Sequence, residues 1–234
     1  MDGELATNPT ANTDPAARWS LVVPLKPLVR AKSRLMAAAG GPLRPRLALA
    51  FAQDTVAAAL TCPVVWDVAV VTDDPLAGAE LSALGARIVP DLPAAGLNAA
   101  LSHGAAAVRA VRPDAAVAAL NADLPALRPA ELARVLTCAA GFPRAFLTDA
   151  AGIGTTLLTA GPGVELRPAF GGRSRDRHSA SGAVEIPLDG VDSVRQDVDT
   201  GDDLAVALAL GVGPWTSASL PPGARTPEPR ALEH

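Results

Sequence analysis

The stretch Ala115 to Leu127, AAVAALNADLPAL, limits what this chain can fold into more than any other. It opens as a continuous apolar run of strand length, the pattern of a parallel strand buried on both faces. It closes on Asn121, Asp123 and Pro125. A carboxylate at the end of a buried strand is costly unless something pairs with it. In an open α/β sheet the carboxyl ends of the strands form the crevice where ligands bind. Asp123 therefore either holds a cation there, or caps the helix announced by Pro129, or turns the chain.

The rest of the chain repeats the same alternation. Trp19 to Leu25 (WSLVVPL) reads as a first strand, LALAFAQDTVAAAL as a helix and WDVAVVTDD as a second strand ending in carboxylates. LAGAELSALG is a short helix, ARIVPD a third strand, and Gly96-Leu97-Asn98 opens a further helix containing His103, which is assigned no role. After the fourth strand come the helix PAELARVLTCAA, a fifth strand RAFLTDA and the strand-like GIGTTLLTA. Such units predict a βαβ sheet with right-handed crossovers. SVRQDVDT reads as extended, with Asp197 and Asp199 on one face and Thr200 opening the helix DDLAVALALG. Residues 1–17 read as a disordered lead, 18–213 as one domain, and 214–234 as a Pro-rich flexible tail whose Leu232-Glu233-His234 resembles an expression-tag remnant.

Hydrophobic residues make up 49% of the 234, enough for a packed core. No apolar run approaches a membrane span, and the polar, acidic start lacks the features of a signal peptide. Cys62 and Cys138 are isolated, without metal-binding spacing, so a reducing cytoplasm is the expected setting. The net charge of −4 argues against general nucleic-acid or membrane-surface binding. Its distribution is more informative. Between Pro15 and Gln53 there is no acidic residue, while Arg18, Lys26, Arg30, Lys32, Arg34, Arg44 and Arg46 all fall there, and Lys26 and Lys32 are the only lysines in the protein. A basic loop between a strand and a helix is where an α/β fold binds phosphate. Neither GxGxxG nor GxxxxGK[ST] is present, so neither a dinucleotide fold of the usual kind nor a P-loop is supported.

A second basic segment, LRPAFGGRSRDRHSASG, crowds Arg167, Arg173, Arg175, Arg177 and His178 around a Gly-rich turn. With Ser174 and the backbone of Gly171 and Gly172 it reads as a second anion cradle, or else as an exposed flexible loop. Two anion sites with carboxylates between them suit Mg²⁺, which takes one or two carboxylates and completes its shell with water and substrate phosphates. Asp123 with Asp197 or Asp199 would meet that need, with Lys26, Lys32 and Arg34 neutralising a triphosphate attacked in line at phosphorus.

VVPLKPLVRAKSRL, GLNAAL, NADLPAL, GIGTTLL, FGGRSRDRH and DVDT, in this order over about residues 19 to 213, resemble the guanylyltransferases of deazaflavin coenzyme (F-420) biosynthesis, particularly the actinobacterial type. The resemblance implies a single α/β domain with a mostly parallel sheet and flanking helices, GT-A-like and similar to the molybdenum-cofactor guanylyltransferases. It implies transfer of GMP from GTP to a three-carbon phosphate with release of pyrophosphate. Lys26, Lys32, Arg34 and Asn98 would bind GTP; Asp123 and Asp197, with Asp199 as a third candidate, would bind Mg²⁺; Thr155, Gly171 and Ser174 would bind the acceptor. GIGTT puts Thr156 beside Thr155, so either hydroxyl can be the contact, and FGGRS puts Arg173 beside the acceptor site.

The actinobacterial likeness favours phosphoenolpyruvate over 2-phospho-L-lactate. Because an acceptor phosphate is ionised at neutral pH, the attack needs no general base, and His178 is expected not to be one. GTP and phosphoenolpyruvate are then the expected partners, with the product open to hand-over to the next enzyme of the pathway. Another small-acceptor nucleotidyltransferase and a non-catalytic nucleotide-binding subunit are the alternative readings.

Overall fold

The computed structural model describes residues 18–28, 43–92 and 94–221. The expected lead, 1–17, lies outside them, as do Lys32, Arg34 and residues 222–234. The described chain runs β1 (Trp19–Pro24), α1 (Leu43–Leu60), β2 (Val65–Val71), α2 (Pro75–Ala83), β3 (Arg87–Val89), α3 (Leu97–Val111), β4 (Ala116–Leu120), α4 (Pro129–Ala139), β5 (Arg144–Thr148), β6 (Thr155–Ala160), α5 (Ser174–Ala180), β7 (Val184–Glu185), α6 (Asp192–Arg195), α7 (Gly201–Leu210) and α8 (Pro214–Ser219). Among these residues no helix is long and apolar enough to cross a membrane.

The strands form one sheet in the order β3-β2-β1-β4-β6-β5-β7. Pairing is parallel from β3 through β4 and between β5 and β7, whereas β6 runs antiparallel to both its neighbours. β1 lies between β2 and β4, so the chain's direction of growth across the sheet reverses between β1 and β4, the crevice position of an open α/β sheet. The reversed β6 brings its amino end, at Thr155, to the edge where the other strands present their carboxyl ends.

Both faces of the central strands are buried, as the continuous apolar runs require. Leu21, Val23, Val68, Val70, Ala118 and Leu120 point toward α1, α2 and α4. Val22, Ala69, Val71, Val117 and Ala119 point toward α3 and the segment around Leu166 and Phe170. On that second face α3 approaches closely at Gly104, where a Cβ would lie 2.5 Å from Val22 Cγ1 and 2.6 Å from Val71 Cγ2.

Two expectations are corrected. SVRQ is not extended: Asp192–Arg195 is a single helical turn, and the extended part begins after it. The domain does not end at 213. Helix α8 packs on α1, and the buried Asp54 carboxylate of α1 accepts the Trp215 and Thr216 N–H groups at 3.1 and 2.8 Å. Thr216 and Leu220 are buried, Leu220 in a small core with Leu47, Phe51, Ala126 and Val198. The short polar spacing of GPWTSAS hid this helix, because its anchor lies about 160 residues earlier in the chain.

Candidate active site

A cavity of about 490 Å³ opens at the sheet edge where β1 and β4 diverge. Lys26 reaches it from the end of β1, Asn121 and Asp123 from the end of β4, and Asp197 and Asp199 from the segment before α7. On the other side lie Asp149 and Gly154 between β5 and β6, Thr155 at the start of β6, and Gly171, Gly172 and Ser174. Leu97 and Phe170 supply apolar wall.

Several of these groups are tied to neighbouring elements. Thr55 of α1 accepts the Leu124 N–H at 3.0 Å, and the Asp123 carbonyl accepts the Val198 N–H at 3.1 Å, which locks the NADLP loop to the segment carrying Asp197. Val198 is fully buried between the two aspartates, so its neighbours face the other way, into the cavity. Thr200 and Asp203 then form a reciprocal capping box that starts α7 and fixes the end of the segment. Asn121 Nδ2 donates to Asp197 Oδ2 at 3.4 Å, tying β4 to it a second time. After β1, the Leu28 N–H donates to Asp74 Oδ2 at 2.9 Å, while the other oxygen of Asp74 caps α2. Asp74 thus anchors the chain just beyond Lys26.

The second cradle is built differently from its sequence reading. None of Arg167, Arg173, Arg175 and Arg177 lines the cavity. Arg173 is 78% exposed and pairs with Asp176, Arg175 pairs with Glu185 and the Gly152 carbonyl, Arg167 pairs with Glu165, and Arg177 donates to the Ala169 and Gly171 carbonyls. They staple the loops around the site. What faces the cavity instead is backbone and hydroxyl: Gly171 and Gly172 take φ of +99° and +46°, a left-handed pair open to few other residues, beside Ser174 and Thr155. Thr156, by the alternation of β6, is buried on the opposite side and does not line the cavity.

Asn98 is not among the lining residues. Its side chain brackets the loop instead, Oδ1 accepting the Phe170 N–H at 2.8 Å and Nδ2 donating to the Phe170 carbonyl at 3.2 Å. His178 is fully buried under the same loop between the Phe146 and Phe170 rings, its pKa pushed down to about 4 by burial and then by the Arg144 and Arg177 charges. Asp149 escaped the sequence reading; its carboxylate accepts the Ile153 and Gly154 N–H groups at 2.9 and 2.7 Å and folds the GIGT turn. The rule that singled out Asp123, a carboxylate at the end of a buried strand, applies equally to it.

Among the described lining residues there are four aspartates and one cation, Lys26. A divalent ion held by these carboxylates would offset their charge beside a bound polyphosphate. No group of three or more His, Cys, Asp or Glu side chains among the described residues forms a ready metal cage. Asp123 and Asp197 could nonetheless supply the one or two carboxylates that a hard cation completed by substrate oxygens takes.

Residues 42–180 match the MobA-like NTP transferase domain. The chain is 74% identical over 201 residues to phosphoenolpyruvate guanylyltransferase of Streptomyces coelicolor, covering 86% of this chain and 95% of the relative. The chain belongs to the phosphoenolpyruvate guanylyltransferase family. The family member of Thermomonospora curvata is 62% identical over 219 residues, covering 91% and 96% of the two chains. As a member of this family the protein is a nucleotidyltransferase. Among solved structures, a nucleotidyl transferase from Methanothermobacter thermautotrophicus superposes with a TM-score of 0.62 at 25% identity, covering 82% of this chain and 97% of that one. A 4-diphosphocytidyl-2C-methyl-D-erythritol synthase, at 12% identity and a TM-score of 0.54 over 83% and 99% of the chains, shares the fold.

Proposed function

We propose that this protein transfers the guanylyl group of GTP to the phosphate of phosphoenolpyruvate, giving enolpyruvyl-diphospho-guanosine and pyrophosphate. The observation that carries the reading is the two-sided cavity: carboxylates and Lys26 on one side, and the hydroxyls and left-handed glycines of the Thr155, Gly171 and Ser174 cradle on the other. The names of relatives at 62–74% identity support phosphoenolpyruvate as the acceptor.

In this reading Lys26, with Lys32 and Arg34 from outside the described residues, holds the GTP phosphates. The cradle of Gly171, Gly172, Ser174 and Thr155 holds the acceptor so that one of its phosphate oxygens faces the α-phosphorus. That oxygen forms the new P–O bond, the bond between the α-phosphorus and the bridging oxygen breaks, and pyrophosphate leaves with the electron pair. No proton need move, because the attacking phosphate is already ionised. Asp123 and Asp197, with Asp199 beside them, would hold Mg²⁺, which would supply charge neutralisation on the attacked phosphate and the leaving group. Asn98, which the resemblance implies in the GTP site, holds the Phe170 loop beside it.

The reading places the reaction in the cytoplasm, within deazaflavin coenzyme biosynthesis, with the product available to the next enzyme. A panel of phosphoenolpyruvate, 2-phospho-L-lactate and no acceptor, each with GTP and Mg²⁺, tests it. Pyrophosphate release with phosphoenolpyruvate is expected. Release with 2-phospho-L-lactate alone would keep the mechanism and move the substrate, and release with neither would refute the assignment.

A further inference from the structure

Behind the acceptor side of the cavity, a buried imidazole fixes how many protons the cavity wall can offer. Thr155 Oγ1 lies 3.1 Å from Ser174 Oγ and 3.0 Å from His178 Nδ1. The three residues are 4%, 1% and 0% exposed. On the far side of the ring, Nε2 lies 2.9 Å from the Ala169 backbone nitrogen. A backbone N–H only donates, so Nε2 must present its lone pair, and the single proton of the neutral ring sits on Nδ1. The ring is kept neutral by its burial and by the Arg144 and Arg177 charges near it, and Phe146 and Phe170 flank it at 5.8 and 5.1 Å.

The Nδ1–H then donates to Thr155 Oγ1. Thr155 and Ser174 hold two hydroxyl protons between them. One is used in the bond joining the two hydroxyls. The other cannot turn back to the imidazole, which has no acceptor on that side, so it points into the cavity from whichever hydroxyl carries it. With the opposite tautomer the spare proton would satisfy Nδ1, and the cavity would face lone pairs that repel an anion.

We propose that His178 is a positioning residue that sets the Thr155–Ser174 hydroxyl pair as a hydrogen-bond donor toward the anionic acceptor. It touches no substrate, and it acts through the pair and through Ala169. The identity of the acceptor rests on the guanylyl-transfer reading; the donor polarity of the pair does not. The loop does not depend on His178 alone, since Asn98 brackets Phe170 and Arg177 holds the Ala169 and Gly171 carbonyls.

Two variants separate the roles. In His178→Asn the side-chain amide nitrogen branches from Cγ as Nδ1 does, keeping a donor toward Thr155 and losing the partner of Ala169. In His178→Gln the amide reaches to the place of Nε2, keeping an acceptor for Ala169 and losing the donor. Phosphoenolpyruvate binding is measured by calorimetry with Mg²⁺ on the wild type and both variants, and GTP binding in parallel. His178→Gln is expected to weaken phosphoenolpyruvate by about 10- to 100-fold, the range set by one hydrogen bond to a charged group, with His178→Asn far nearer the wild type and GTP unchanged in both. Equal weakening in the two variants, a weaker Asn than Gln, or a matching loss of GTP affinity would overturn the proposal.

Ring-nitrogen NMR of the wild type provides a check that needs no variant to fold: a proton on Nδ1 is expected, and one on Nε2 overturns the proposal. Wild-type binding of phosphoenolpyruvate without turnover would sink the guanylyl-transfer reading and leave His178 standing. Turnover with indistinguishable variants would do the reverse, and no binding by the wild type would sink the guanylyl-transfer reading, with the donor polarity of the pair decided by the ring-nitrogen NMR.

Discussion

Asn121 Nδ2 donates to Asp197 Oδ2 across 3.4 Å, joining the end of β4 to a segment 76 residues further along. The bond orients the Asp197 carboxylate beside Asp123 without contributing a charge of its own. In the proposed function Asp197 would hold Mg²⁺, and removing a group hydrogen-bonded to a metal ligand typically costs 10- to 100-fold in metal affinity. Asn121→Ala should therefore raise the Mg²⁺ concentration for half-maximal activity by about 10-fold or more, while the rate at saturating Mg²⁺ falls much less. A Mg²⁺ titration of initial rates checks this, and an unchanged midpoint would contradict it.

Asp123 and His178 should behave oppositely when altered. The Asp123 carboxylate lines the cavity on a loop fixed by Thr55 and Val198, whereas the His178 ring is buried behind the wall. Asp123→Asn keeps the shape and removes the charge, and should abolish turnover. His178→Ala should leave measurable turnover at high acceptor concentration. Side-by-side initial rates decide the matter, and a His178→Ala enzyme as inactive as Asp123→Asn would contradict the assignment of roles.

His178 also predicts an acid limb of stability. Its pKa lies near 4 in the folded protein against an ordinary 6.5. Protons therefore bind the unfolded chain first: the stability from the neutral ring is complete above pH 6.5 and is lost as pH falls from 6.5 toward 4. Urea unfolding at pH 7.5 and 4.5 should show a loss from this group of roughly 2 to 3 kcal/mol, and His178→Asn should show that much less pH dependence. Equal pH dependence in the two proteins would contradict this.

The central sheet and the positions of most candidate residues were legible because they depend on local pattern. Apolar runs flanked by helical periods mark β1, β2 and β4, and a carboxylate or lysine at a strand end marks the crevice. What escaped depended on partners distant in the chain. Nothing local in RSRDRH says that Arg175 will meet Glu185 or that Arg177 will turn to backbone carbonyls, so a basic run read as an anion cradle became a set of loop staples. The resemblance implies a place for Asn98 in the nucleotide site, and its hydrogen bonds to Phe170, 72 residues further along, are visible only in the fold. The antiparallel β6 could not be read from alternation, which is indifferent to strand direction, yet it is what places Thr155 in the cavity.

The helix that corrects the domain boundary hangs on Asp54. Its carboxylate accepts two backbone N–H groups of α8 and is itself raised in pKa by burial. Asp54→Ala leaves both N–H groups without that partner and should destabilise the fold by about 1 to 3 kcal/mol. Amide exchange should accelerate most at Trp215 and Thr216. Unchanged protection there, with α8 still docked, would contradict the role given to Asp54.

The central claim is that a phosphate oxygen of the acceptor attacks the α-phosphorus of GTP. Phosphorus NMR of GTP, Mg²⁺ and phosphoenolpyruvate with the enzyme tests this most directly. The account predicts pyrophosphate together with two new coupled resonances, one from the guanylyl phosphorus and one from the acceptor phosphorus now joined to it. Formation of GDP, with orthophosphate or a phosphorylated acceptor, would place the attack at the γ-phosphorus and contradict it.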